Sequence, residues 1–121
     1  LQRPRCRVRA DQQTINRDKR QKSMIYVWLA SWKPGLSRKL MDGALARRSS
    51  WSYPDSIELL GEYWLAGHRP AVISVFRTDD YAAIMELGLT WGDVFEIACQ
   101  PACTPQQGLQ WGAAIIQRRL T

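Results

Sequence analysis

The chain is 121 residues long, 45% hydrophobic and formally +6 at neutral pH, the size and composition of one domain with a single core. It holds no run of about 18 apolar residues, which excludes a membrane-spanning helix, and its arginine-rich start lacks the apolar stretch of a secretory signal; a cytoplasmic protein is expected. Residues 1–23 carry eight Lys or Arg against Asp11 and Asp18, while the rest of the chain carries nine of each sign, so the basic character says nothing about the part that folds.

Residues 1–23 have few apolar side chains and no sustained period, too little to offset the entropy of ordering them, and read as a flexible leader. Two accounts of it stay open. Its cations would hold phosphates or acidic lipid heads in a salt-dependent way; the plainer account, preferred here, makes Met24 the natural start and the leader extraneous.

Met24 to Trp32 is rich in β-branched and aromatic residues and reads as a strand. Lys33-Pro34-Gly35 ends it, with Pro34 placed as a first-turn residue of the helix that follows. Leu36, Leu40, Met41, Ala44 and Leu45 then recur at helical spacing, with Arg38, Lys39, Asp42 and Arg47 set away from that stripe. Ser49 to Asp55 is a loop. Ile57 to Leu65 and Ala71 to Arg77 flank the turn-rich Ala66-Gly67-His68-Arg69-Pro70, predicting an antiparallel hairpin. Thr78-Asp79-Asp80 starts a second helix by capping, for which Gly88 is the expected stop. Val94 to Cys99 is the fourth strand, and Pro101 is expected to bar its continuation. Thr104-Pro105 opens a C-terminal helix with Leu109, Ala113, Ile116 and Leu120 in one stripe and Trp111 and Ile115 off it.

Strand, helix, strand, twice over, is the split plan of an α+β ferredoxin-like domain, βαββαβ with a four-stranded antiparallel sheet. The expected division is the leader 1–23, a ferredoxin-like core 24–104 and the extra helix 105–121. Cys6, Cys99 and Cys103 are an odd count without a secretory signal, which argues for free thiols over disulfides. With one histidine in the chain and no second cysteine pair, neither a metal site nor a cofactor is expected.

The stretch from Met24 to about Pro105 resembles a domain-of-unknown-function family of small proteins in the dimeric α/β-barrel superfamily. The resemblance rests on Ser31-Trp32, Gly61-Glu62-Tyr63-Trp64, Arg77-Thr78-Asp79-Asp80 and Trp91-Gly92-Asp93-Val94-Phe95. It implies ferredoxin-like protomers paired sheet to sheet as a homodimer, and it carries no established catalytic residue over to this chain. The superfamily includes cofactor-free monooxygenases, muconolactone-type isomerases, haem-binding members and ligand sensors, so it implies a fold and leaves the chemistry open.

Alternation puts Tyr26, Trp28, Trp32, Glu62, Trp64, Ser74, Phe76 and Glu96 on one face, expected to look away from the helices. Tyr26, Trp28, Trp32, Trp64 and Phe76 are the candidate ligand-binding residues, and Glu62 and Glu96 the candidate general bases. An aromatic face suits a dimer interface as well as a cavity, whereas carboxylates there must be paired or shift their pKa. His68, in the hairpin turn, reads as an exposed loop residue, and Asp79 and Asp80 read as helix caps before cation ligands. Three functions stay in play: a ligand-binding or assembly module with a small apolar or aromatic ligand, a cofactor-independent oxygenase or isomerase, and, more weakly, nucleic-acid association through the leader. No membrane partner is expected.

Overall fold

A computed structural model describes residues 23–121; the expectations for the leader, Ser23 apart, and for Cys6 lie outside the described residues. The elements are β1 (Met24–Trp32), α1 (Arg38–Ser50), β2 (Glu58–Trp64), β3 (Val72–Thr78), α2 (Tyr81–Trp91), β4 (Phe95–Ala102) and α3 (Pro105–Leu120). The strands form one sheet in the order β2-β3-β1-β4, and every neighbouring pair is antiparallel. This is the α+β ferredoxin-like arrangement with a helix appended. No helix among the described residues is long and apolar enough to cross a membrane.

The boundaries follow local chemistry; they correct the expectations for Pro34, Gly88 and Pro101 and bear out the capping of the second helix within Thr78-Asp79-Asp80. Pro34 and Gly35 form a turn, with Gly35 at φ +77°, a conformation that favours glycine. α1 therefore starts later, where the Ser37 side chain accepts from the Leu40 amide at 3.2 Å. At α2 the cap is Asp80, which accepts from the Ala82 amide at 3.1 Å. Thr78 instead completes β3, donating to the Ser56 carbonyl and accepting from the Asp80 amide, both at 3.0 Å. α2 runs through Gly88 to Trp91 and is closed by Gly92, whose amide donates to the Gly88 carbonyl at 2.8 Å. A Cβ at residue 92 would stand 2.6 Å from that carbonyl oxygen, so glycine is required there by space. Pro101 does not end β4, because β4 is an edge strand and loses no inward ladder bond by lacking an N–H. α3 opens on a reciprocal cap, Thr104 to the Gln107 amide and the Gln107 side chain to the Thr104 amide.

A further correction concerns the faces of the sheet. Ser74 pairs with Trp28 and Glu62, and Trp28 pairs with Cys99, so these residues share one face. That face lies under α1 and α2, since Trp28, Trp64 and Phe95 line the same space as Ala44 of α1 and Leu87 of α2. The residues read as facing away from the helices face them, because the large aromatics are what the helices must bury. Glu96 leaves the set: it pairs with Ser31 on the opposite face, since β4 crosses β1 with odd-numbered residues inward. β2 carries an irregularity between Leu59 and Gly61, with Glu58 opposite Arg77 and Glu62 opposite Ser74.

The core lies in this sheet–helix layer, with Phe76 and Ala30 fully buried and Trp28, Ala83, Leu87 and Trp91 packed with them. Leu40 and Leu45 of α1 are exposed, and Arg47, read as lying away from the stripe, reaches from α1 to α2 and its following turn. It makes a paired contact with Asp93 at 3.0 and 2.7 Å and donates to the Thr90 carbonyl at 2.6 Å. On the other face, Val27 and Leu29 of β1 and Ile73 and Val75 of β3 form a half-buried apolar strip. None of the α3 residues is buried, and Leu109 and Leu120 are each 77% exposed.

Full burial of a phenylalanine side chain contributes roughly 1.5–3 kcal/mol, and truncating one adds the cost of the cavity left behind. Phe76→Ala is therefore expected to lower unfolding stability by about 3–5 kcal/mol in urea titration; a change no larger than that of a surface substitution would remove Phe76 from the core.

Candidate functional site

α1, α2 and the sheet enclose a pocket of about 150 Å³, the scale of a cavity that takes up a benzene-sized ring. Small residues make the room. Ala44 of α1 and Ala71 at the entry to β3 line it where longer side chains would fill it. Buried Trp28, Leu87, Trp91 and Phe95 form its inner wall, and exposed Leu45, Trp64 and Leu65 its mouth. Trp51 and Tyr53, from the loop after α1, close one side, with ring centroids 4.7 Å apart and Trp51 edge-on to Trp91 at 5.5 Å.

The pocket has one polar end, and only Arg48 and Glu62 among its lining residues are charged. Glu62 accepts from Arg48 Nη2 at 3.0 Å and Nε at 3.3 Å, from the Tyr53 hydroxyl at 2.5 Å and from Trp64 Nε1 at 2.7 Å. Those donors occupy both carboxylate oxygens. Arg48 also donates to the Trp51 carbonyl at 3.2 Å, and its guanidinium lies 5.4 Å from the Trp51 ring centroid and 5.7 Å from that of Tyr53. The Tyr53 hydroxyl stands 2.9 Å from Ser74 Oγ, and since it donates to Glu62, Ser74 is the donor of that contact.

The electrostatics follow from these contacts. Burial pushes the Glu62 carboxyl up, but the hydrogen bonds from Arg48, Tyr53 and Trp64 outweigh it and hold the group below its ordinary value. Burial and the bond to Glu62 push the Tyr53 phenol well up, so Tyr53 stays a neutral donor. Both settings keep Glu62 ionised. A general base working near neutral pH needs the opposite, a carboxylate raised toward the working pH.

Of the residues expected to bind a ligand, Trp28, Trp32 and Trp64 line the pocket. Tyr26 and Phe76 do not; they stack on each other at 5.9 Å within the core layer. Of the two candidate bases, Glu62 is at the pocket and Glu96 is across the sheet, 2.8 Å from Arg69. His68 is exposed in the hairpin turn and contributes its carbonyl to the Trp32 amide. Asp80 caps α2 and accepts from Ser56. Cys99 is half-buried and Cys103 exposed, both free, and among the described residues no group of three or more His, Cys, Asp or Glu comes together. Sequence reasoning missed Arg48, Trp51 and Tyr53. The available signal was two aromatics, Trp51 and Tyr53, in the serine-rich stretch Ser49 to Asp55 expected as a loop, of which Ser49 and Ser50 belong to the last turn of α1; solvent contact alone does not call for them there.

The fold and the site together define a ferredoxin-like α+β protein with an aromatic pocket between its sheet and its helices. The chain belongs to the family described as Domain of unknown function (DUF3303), whose profile matches residues 24–116. No curated protein and no solved structure matches it.

Because the carboxyl of Glu62 is depressed in the folded state, its contribution to stability is full above the ordinary carboxylate range and is lost as pH falls through and below that range. Glu62→Gln is expected to cost about 1–3 kcal/mol at neutral pH, since Arg48 keeps a half-buried charge without its partner. In denaturant titrations at several pH values, the gap between the parent and the variant should shrink toward acid. A gap independent of pH would show that Glu62 is not held ionised by these donors.

Proposed function

We propose that this protein binds a compact, largely apolar aromatic molecule in the pocket between its sheet and helices. The observation that carries this is the combination of an aromatic wall with a single carboxylate already satisfied by protein donors. Ligand pockets are mostly apolar with a few placed polar groups. Binding is favoured over proton-transfer catalysis because Glu62 is depressed and fully hydrogen-bonded, while Glu96 has no access to the pocket. Leu65→Trp, a change at the exposed mouth, is expected to weaken uptake of toluene or indole at least tenfold while leaving the unfolding midpoint within the range of a surface substitution. Calorimetric titration and urea unfolding read the two. Uptake unchanged by this variant would count against the pocket as the site.

We further propose that the chain works as a homodimer of the dimeric α/β-barrel kind, joined through the sheet face opposite the helices. The strip of Val27, Leu29, Ile73 and Val75 has no helix stripe buried on it, and Leu109, Ile116 and Leu120 of α3 are exposed. Exposed apolar side chains of this kind suit an association surface, and a stable pair needs roughly 800 Å² from each partner. A second copy offers the same neutral, apolar strip and its own α3, so the contact closes with two-fold symmetry. Light scattering should give twice the chain mass at micromolar concentration, falling to the single mass in Val75→Lys; a monomeric parent would defeat the proposal.

A further inference from the structure

The chemical class of the pocket's ligand follows from what its polar end lacks. Arg48 spends Nε and one Nη2 hydrogen on Glu62 and one Nη1 hydrogen on the Trp51 carbonyl. Each terminal nitrogen of a guanidinium carries two hydrogens, so one on Nη1 and one on Nη2 have no partner among the described residues. At the same end Glu62 is committed to its donors, Tyr53 and Trp64 to Glu62, and Ser74 to Tyr53. Arg48 lines the pocket with 31% of its side chain exposed, so these two hydrogens are donors still open to an incoming acceptor.

The polar end is not short of negative charge. Arg48 is matched by Glu62 at 3.0 Å, and the next cation, Arg47, is matched by Asp93 at 2.7 Å. An anion drawn among the indole rings would lose its hydration without meeting net positive charge. A pure hydrocarbon would instead strip water from the two remaining Arg48 hydrogens and leave them unpaired.

We propose that the ligand is a compact, uncharged aromatic compound bearing a carbonyl-type oxygen, with its ring among the tryptophans and its oxygen accepting from Arg48. This rests on the aromatic-ligand reading and narrows it. One hydrogen bond to a charged donor is worth about 1.5–3 kcal/mol, or at least tenfold in affinity.

The test is a nuclear magnetic resonance titration of the full chain at neutral pH, following the indole N–H signals, with acetophenone, ethylbenzene and benzoate as probes. Acetophenone is expected to bind at least tenfold more tightly than either of the others. Arg48→Met alone would strand the Glu62 charge, so the variant used is Arg48→Met with Glu62→Gln, which removes both charges together. Its ratio of acetophenone to ethylbenzene affinity should fall to about one, whatever the affinity for either. Equal binding of acetophenone and ethylbenzene by the parent would sink the acceptor proposal and leave the aromatic pocket standing. Benzoate as the tightest ligand would overturn the uncharged class, and a preference retained by the double variant would overturn the role of Arg48. If none of the three binds at millimolar concentration, the aromatic-ligand reading falls as well.

Discussion

A carboxylate under a pair of helices sets the terms for this end of the molecule. Glu62 stands on the sheet face that also holds Trp28 and Phe76, and a charge removed from water there must find its own solvation. It finds it in three side chains from different parts of the chain: Arg48 near the end of α1, Tyr53 in the loop beyond it, and Trp64 two residues along its own strand. The last turn of α1, the returning loop and β2 are thereby tied to one point. The pair is partly rather than fully buried, so its worth lies in fixing geometry more than in raw stability.

That fixed point explains why a pocket persists beside it. Apolar side chains left to themselves close up to the density of a molecular crystal. Here the Trp51 and Tyr53 rings are held against the Arg48 guanidinium, and alanines at residues 44 and 71 supply no bulk to fill the gap. The space is bounded by rings that cannot easily turn inward, because Trp64 and Tyr53 are each committed through a hydrogen bond to Glu62. Preformed apolar space with a rigid polar end is the form that small-molecule sites commonly take.

Much of the architecture was legible from periodicity. Every strand and helix was located, from the β-branched and aromatic run at residues 24–32 and from the cap residues that open the helices at residues 81–91 and 105–120. Terminal residues were less legible, since Gly88 and Gly92 are equally good stop signals in a sequence and only the close approach of the Gly88 carbonyl distinguishes them. The site was legible in its tryptophans and in Glu62. It was illegible in its orientation: alternation sorts side chains into two sets without saying which set a helix covers. Arg48 was hidden for a related reason, because a helix stripe is read from apolar residues, and here an arginine on the inward side does part of the packing through its planar face. Glu96 was drawn into the wrong set because parity was carried from one strand to the next without the register of β1 with β4.

The irregularity in β2 has a consequence for how this fold tolerates change in length. Glu58 and Glu62 have the same parity, and an unbroken strand would send both to one side of the sheet. The extra residue between Leu59 and Gly61 reverses the phase, leaving Glu58 beside Arg77 on the open side while Glu62 and Trp64 turn under the helices. The inward position of the carboxylate is thus encoded by a count and not by a side chain. Substitutions at Leu60, which is exposed, leave that count intact, whereas loss of a single residue there would shift the phase of everything between it and the hairpin. In this family, insertions and deletions within β2 carry more information about the pocket than the identity of the residue that bulges.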